Sequence, residues 1–204
     1  MKRIAFVVLV VLVALVALVA FIQLRPPKCT TKRVVVNSRD PRGTQPSKIM
    51  IVAHPDDELL WGYRHLAQDP KSWKVICVCC ASDPIRVKEF EAVMRAIGVD
   101  NYEMWDNENT IIGWRLHPLI VGRIISELAK GYDVVITHNW YGEYGNLQHM
   151  AVHRAVVAVA NANNVQVFSS WTQQKPTRKN EIVASSYPSQ RWIIRALSPF
   201  HTKY

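Results

Sequence analysis

The sequence has no Asp or Glu before Asp40, no Asn-x-Ser/Thr sequon and only four cysteines among 204 residues. Four cysteines, three of them crowded at Cys77, Cys79 and Cys80, exclude a disulfide scaffold; buried thiols explain them better than a zinc site. The missing sequon fits an unglycosylated, reducing compartment. There is no internal repeat, and no low-complexity tract beyond the first 22 residues. Charged residues make up only 20%, yet seven Trp, seven Tyr and five Phe exclude a disordered chain. The length allows one ordinary domain and excludes a two-domain enzyme with separate large cores.

The missing acidic residues coincide with a long apolar run. Ile4 to Ile22 are 19 consecutive positions without a charge. As a helix they span about 28 Å, close to the ~30 Å hydrocarbon core of a bilayer. Lys2 and Arg3 precede the run; Arg25, Lys28, Lys32 and Arg33 follow it. These six positive charges leave 19 basic against 16 acidic residues elsewhere, a net of +3 out of the total +9. The basic balance therefore belongs to a membrane flank and excludes a nucleic-acid face. A cleaved signal peptide has a shorter apolar core and a small-x-small site, whereas Ala17 and Ala20 have Leu15 and Leu18 at the −3 position. We read residues 1–24 as a transmembrane signal anchor and 25–47, with Pro26, Pro27, Pro41, Gly43 and Pro46, as a basic stalk. Within that stalk, Arg33 to Val36 reads as an edge strand. The excess of positive charge after the span places residues 48–204 in the cytoplasm.

From residue 48 apolar runs alternate with helical patterns. Residues 48–53, 73–80, 102–105, 132–137 and 165–171 read as strands. Residues 58–68, 85–97, 117–130 and 147–161 read as helices. Val87, Phe90, Val93, Met94 and Ile97 give the second helix its apolar face, and Gly98 is its C-cap. Pro176 to Lys179 reads as a polar surface loop, and the isolated His65 and His117 as surface residues. Strands separated by helices predict an α/β fold: a Rossmann-like, mostly parallel sheet with helices on both faces, preceded by the transmembrane helix. Ligands then bind outside the carboxyl ends of the strands.

Two clusters lie at such ends. The first strand runs into His54-Pro55-Asp56-Asp57-Glu58. Adjacent carboxylates repel each other, and a divalent cation removes that cost. Taken alone, the same residues also read as the N-cap and first turn of a helix. The strand 132–137 ends in His138-Asn139, a loop with Gly142 and Gly145, and a helix carrying His149 and His153 on one face. His54, one Asp and His149 form an N/O/N set that leaves a fourth position for water, the layout of a catalytic zinc site.

Together, Ala53-His-Pro-Asp-Asp-Glu58 and His138-Asn139-x-x-Gly142-Glu143-Tyr144-Gly145-x-x-x-His149-x-x-Val152-His153 resemble the PIG-L (LmbE-like) deacetylase family over about residues 48–170. The resemblance implies His54, Asp57 and His149 as metal ligands, with zinc as cofactor; ferrous iron suits the same ligands. It implies Asp56 as general base. Asn146 stands where the family has a histidine that stabilises an oxyanion; asparagine can donate a hydrogen bond there but brings no charge. Arg86 and Glu89 resemble residues near the family's substrate cleft, with an exposed helical charge pair as the alternative. Tyr144, beside Trp140 and Tyr141, reads equally as a surface for a sugar face and as packing. His153 is a substrate-binding or structural residue, and His138 is structural. The implied function is hydrolysis of the acetamide of an N-acetylglucosamine group on a glycolipid, as in GPI-anchor biosynthesis, by a single-pass protein of the endoplasmic reticulum in a eukaryote. The alternatives are another N-acetyl sugar, or an anchored sugar- and metal-binding protein without catalysis.

Overall fold

The computed structural model describes residues 2–25, 27–36, 46–109, 115–161, 164–168, 187 and 189. The apolar run forms α1 (Lys2–Leu24). Residues Arg3–Phe21 have a mean hydropathy of 3.4 and none of them is buried. By length and composition this helix can cross a membrane. A continuous run of exposed Val, Leu and Phe side chains is costly in water, which fits a lipid environment.

Six strands form one sheet: β1 (Val34–Val36), β2 (Lys48–Val52), β3 (Trp73–Cys79), β4 (Asn101–Asn107), β5 (Val134–Thr137) and β6 (Val165–Val167). Their order is β1-β4-β3-β2-β5-β6. Five strands are parallel; β1 pairs antiparallel with β4 at one edge, Val35 opposite Glu103. The edge strand lies inside the segment read as a stalk. Residues 169–171 of the last expected strand and the loop at 176–179 lie outside the described residues.

Continuous apolar runs suit strands covered on both faces. Along β2, Met50 and Val52 face one core cluster; Ile49, Ile51 and Ala53 face the other. The first cluster is covered by α2 (Asp57–Leu60), α3 (Tyr63–Gln68) and α4 (Pro84–Ile97), the second by α5 (Pro118–Leu128) and α7 (Leu147–Val157). Helix α4 starts where Asp83 accepts the Ile85 and Arg86 N–H groups, and ends at Gly98 with φ 94°. His117 is no idle surface residue: its Nδ1 accepts the Leu119 N–H and caps α5. The helix expected over 58–68 is two helices. It breaks at Trp61-Gly62, where a Cβ on Gly62 would lie 2.5 Å from the Met50 sulfur and 2.9 Å from the Glu58 carbonyl. This tertiary crowding overrides the helical pattern.

A charged network supports the start of β3. Lys74 Nζ bridges Glu103 Oε1 at 2.8 Å and Glu127 Oε1 at 2.7 Å. Arg33 adds to Glu103, and Lys130 and the Tyr132 hydroxyl add to Glu127. Although burial opposes ionisation, Arg33 and Lys74 hold the Glu103 carboxyl at about 2. A depressed carboxyl contributes stability above its unfolded value and loses it as pH falls toward its folded value, here between about 4.5 and 2. Lys74→Ala should therefore cost about 3 kcal/mol at neutral pH, the low end for breaking a buried pair because Arg33 and Lys130 remain. Denaturant unfolding should show that difference shrinking below pH 4.5, as the orphaned carboxyls protonate.

Candidate metal centre

The chain builds β2, β3 and β4 outward, then returns to lay β5 on the other side of β2, with Ile51 opposite Thr137. The two motifs follow these neighbouring strands. They therefore meet at the carboxyl ends, where the strand order reverses and α/β sheets open a crevice.

Three side-chain atoms converge there. His54 Nδ1 lies 3.1 Å from His149 Nε2 and 3.4 Å from Asp57 Oδ2; His149 Nε2 lies 3.3 Å from Asp57 Oδ1. A tetrahedral ion with bonds of about 2.0–2.2 Å sets its ligand atoms about 3.3–3.5 Å apart. The other ring nitrogens are already committed. His54 Nε2 is 3.0 Å from Gln148 Oε1, and Gln148 Nε2 donates to the Glu108 carbonyl at 3.2 Å. Gln148 therefore accepts from His54, which puts the His54 proton on Nε2 and leaves Nδ1 a lone pair. His149 Nδ1 donates to Glu143 Oε2 at 2.6 Å, leaving Nε2 a lone pair. Two imidazole lone pairs and a carboxylate facing one another within 3.4 Å repel without a cation. The donor set thus fits a divalent metal. Burial lowers the His149 pKa to about 4, which keeps the ring neutral and ready to ligate. Burial opposes ionisation of Asp57, yet its carboxyl is held well below the usual carboxylate range, and the His54 backbone N–H donates to its Oδ2 at 2.8 Å.

Glu143 is the hub behind these ligands. It is buried, and its carboxylate accepts from His149 Nδ1, from His138 Nδ1 at 2.8 Å and from the Asn139 N–H at 2.8 Å. His138 stacks on His149 with ring centroids 3.9 Å apart, and its Nε2 accepts the Ala53 N–H at 2.9 Å. Asp57 and Glu143 raise the proton affinity of His138 despite burial, yet the Ala53 N–H occupies Nε2 and favours the neutral ring. His138, Glu143 and His149 also lie close enough together to hold an ion. Their mutual hydrogen bonds make that group the support of the first. Glu143 reaches its position in a short turn, α6 (Gly142–Gly145), with φ 61° and ψ −55°. Gly142 precedes it at φ 68°, and a Cβ there would lie 3.2 Å from His149 Cβ. Backbone strain of this kind persists where the surroundings over-determine it.

Asp56 does not cap α2; its side chain makes no capping bond, and its φ is 136°. Side-chain capping by Asp56 is thereby removed, whereas Asp57 and Glu58 do occupy the first turn of α2. Burial and the Asp57 charge raise its pKa well above the usual range, against Arg86. Arg86 and Glu89 are not an exposed pair: 8% and 5% of their surfaces are accessible. Arg86 Nη2 reaches the Pro55 carbonyl and lies 3.5 Å from Asp56 Oδ2; Nη1 bonds Glu89 at 2.9 Å and Ser189 Oγ at 3.2 Å. It holds the His54–Asp57 loop from behind. Glu58, also buried, accepts from the Tyr187 hydroxyl at 2.7 Å and from the Asp56 N–H at 3.1 Å; burial raises it to about 7.

Asn146 caps α7, with Oδ1 accepting the Gln148 and His149 N–H groups. Its Nδ2 donates to the Tyr144 hydroxyl at 3.0 Å. Tyr144 is half-exposed and sits edge-on to His149, centroids 5.4 Å apart; burial and the Asp57 charge raise its pKa to about 12. His153 Nδ1 donates to the His138 carbonyl at 2.7 Å. Trp140 and Tyr141 are exposed, their rings 5.7 Å apart.

Comparison with known proteins decides the family. The family model described as PIG-L, GlcNAc-PI de-N-acetylase, matches residues 49–160, more than half of the chain. The chain belongs to the PIG-L family. A curated relative, an uncharacterised protein of Acanthamoeba polyphaga mimivirus, is 33% identical over 141 residues, 59% of this chain. The aligned region spans 60% of that relative's length. Among solved structures, the N,N'-diacetylchitobiose deacetylase of Pyrococcus horikoshii superposes with TM-score 0.54 at 16% identity, covering 81% of this chain and 79% of that one. The 4-carboxy-2-hydroxymuconate hydratase GalB of Pseudomonas putida gives 0.58 at 12% identity, covering 75% and 83%. A conserved protein of Thermus thermophilus gives 0.56 at 14% identity, covering 76% and 84%. These likenesses show the PIG-L (LmbE-like) fold. A hydratase and a deacetylase share it, so the reaction must be argued from the site.

The sequence motifs of this PIG-L chain contained Glu143 and Gln148 without assigning them roles. Their signal was present: an acid and an amide flank a ligand histidine, and such a ring needs a partner for its second nitrogen. Tyr187 and Ser189 lie 100 residues or more from their partners, with no local pattern to reveal them.

Proposed function

We propose that this chain is a membrane-anchored, metal-dependent de-N-acetylase that hydrolyses the acetamide of an N-acetylglucosamine group, with the lipid-linked N-acetylglucosaminyl-phosphatidylinositol as preferred substrate. The convergence of His54 Nδ1, Asp57 and His149 Nε2, each ring backed by its own acceptor, carries the reading. Family membership supports the substrate class, and the exposed apolar α1 supports the anchor.

His54, Asp57 and His149 would hold a divalent metal, zinc or ferrous iron, which when bound would supply Lewis acidity to acidify a water and polarise an acyl oxygen. Asp56 accepts the proton of the attacking water, its basicity raised by burial. Arg86, bonded to the Pro55 carbonyl and 3.5 Å from Asp56 Oδ2, fixes the position of the Asp56 carboxyl. Asn146 commits its Oδ1 and one of its two Nδ2 protons inside the protein, and we assign the hydrogen bond to a developing oxyanion to its neighbour Tyr144. That hydroxyl accepts from Asn146 and keeps its own proton to donate at neutral pH. Asp56 then returns its proton to the leaving amine. Trp140 and Tyr141 offer exposed ring faces for the sugar, and His153 fixes the end of β5 beside them.

The full chain in detergent micelles should release amine from N-acetylglucosaminyl-phosphatidylinositol, and far more slowly from free N-acetylglucosamine. A chelator should stop release, and zinc or ferrous iron should restore it. Equal rates on both substrates would remove the lipid preference. No release from either by a folded, metal-loaded chain would overturn the deacetylase reading.

A further inference from the structure

The residues that follow α1 are built into the domain. Cys29 pairs antiparallel with Asn107 at the carboxyl end of β4. The Lys28 N–H donates to Glu108 Oε2 at 2.7 Å, and the Glu108 N–H donates back to the Lys28 carbonyl at 2.7 Å. Arg25 Nη2 bonds Glu108 Oε1 at 2.6 Å. Thr30 Oγ1 bonds Asp106, and Arg123 Nη2 donates to the Thr31 carbonyl at 3.1 Å. Both oxygens of the Glu108 carboxylate are thus held by the segment that leaves the apolar helix.

The Glu108 carbonyl faces the other way. It accepts from Gln148 Nε2, whose amide oxygen accepts from His54 Nε2. Three hydrogen bonds in series therefore link Arg25 to a metal ligand. Orientation matters because an amide has a donor end and an acceptor end of equal size. With the Glu108 carbonyl in place, Gln148 turns its oxygen to His54 and the ring keeps its proton on Nε2. Were that carbonyl withdrawn, Gln148 could turn its NH₂ to His54. The ring would then accept at Nε2, carry its proton on Nδ1 and present no lone pair to the metal.

We propose that Arg25, Lys28 and Thr30 form a positioning strap for the metal centre: by clamping Glu108 they orient the Gln148 amide and so fix the metal-binding tautomer of His54. The anchor segment is then part of the support of the site as well as a tether. The proposal rests on the metal reading above, and its test separates the two.

Zinc affinity would be measured on the full chain in detergent micelles by competition with a fluorescent chelator. Outer partners of metal ligands are typically worth 10–100-fold in affinity. Gln148→Ala should weaken zinc binding within that range and Glu108→Ala by roughly tenfold. Arg25→Ala, at a half-exposed side chain that folding tolerates, should weaken it severalfold. Glu108→Ala combined with Gln148→Ala should be no weaker than Gln148→Ala alone, because the relay is already cut; a purely structural loss would add. In the metal-free chain, ¹⁵N shifts of the His54 ring should show Nε2–H in the parent and a growing share of Nδ1–H in Arg25→Ala. Parent-like affinity in both Arg25→Ala and Glu108→Ala, alongside loss of zinc in His54→Ala, would sink the strap and leave the metal site standing. Failure of the parent chain to bind zinc or ferrous iron would overturn both.

Discussion

Asp56→Asn should lower the rate of amide hydrolysis by about 10²–10⁴-fold, the usual worth of a positioned general base, and leave metal affinity within a few-fold of the parent. The asymmetry comes from the direction of the side chain. Asp57 faces His54 and His149, whereas Asp56, one residue earlier at φ 136°, faces Arg86. Asparagine is the informative replacement. It tolerates positive φ better than most residues, keeps the volume and can still accept from Arg86, so only the basicity is removed. The loss should appear in kcat with KM little changed, because in the proposed mechanism the group acts on the attacking water and not on substrate binding. Turnover within tenfold of the parent would assign the base elsewhere, with Glu58 the next buried carboxyl.

Glu143→Ala should be the most destructive single change for the folded centre. It leaves three buried donors without their acceptor: His138 Nδ1, His149 Nδ1 and the Asn139 N–H. Each buried orphan costs about 1–3 kcal/mol, and partial relaxation brings the sum to roughly 3–5 kcal/mol. For a domain of this size that corresponds to a fall in Tm of about 10 °C in a thermal scan. Zinc affinity should fall 10–100-fold as well, because His149 loses the partner that fixes its tautomer. His149→Ala should remove the metal with a smaller thermal penalty when both are measured without metal. A Glu143→Ala chain that melts like the parent would mean that the His138–His149 stack is held by packing alone.

The elements that proved legible are those whose cause is local. Residues 49–52 are apolar at every position because both sheet faces are covered, and that is visible without a structure. His54, His149 and one of the two adjacent aspartates could be singled out because each ends a strand or opens a helix beside another titratable group; the choice of Asp57 came from the family resemblance. The unread parts have distant causes. Nothing near Gly62 announces that the Met50 sulfur will occupy the space of a Cβ. Nothing near Arg86 announces burial, because Ser189 and the Pro55 carbonyl arrive from other parts of the chain. Asn146 is the intermediate case. Its cap at the start of α7 is a local signal, but the bond from its amide to the Tyr144 hydroxyl is seen only in three dimensions.

Only four residues separate Leu24, the last of α1, from Cys29, which already pairs with Asn107. Fully extended they reach about 15 Å. With α1 across a bilayer, the carboxyl edge of the sheet is therefore moored within about a headgroup layer or two of the lipid surface. A glycolipid in that leaflet is met by lateral diffusion, and its supply is set by its density in the membrane plane. A freely dissolved sugar must instead find a cleft held close against a wall.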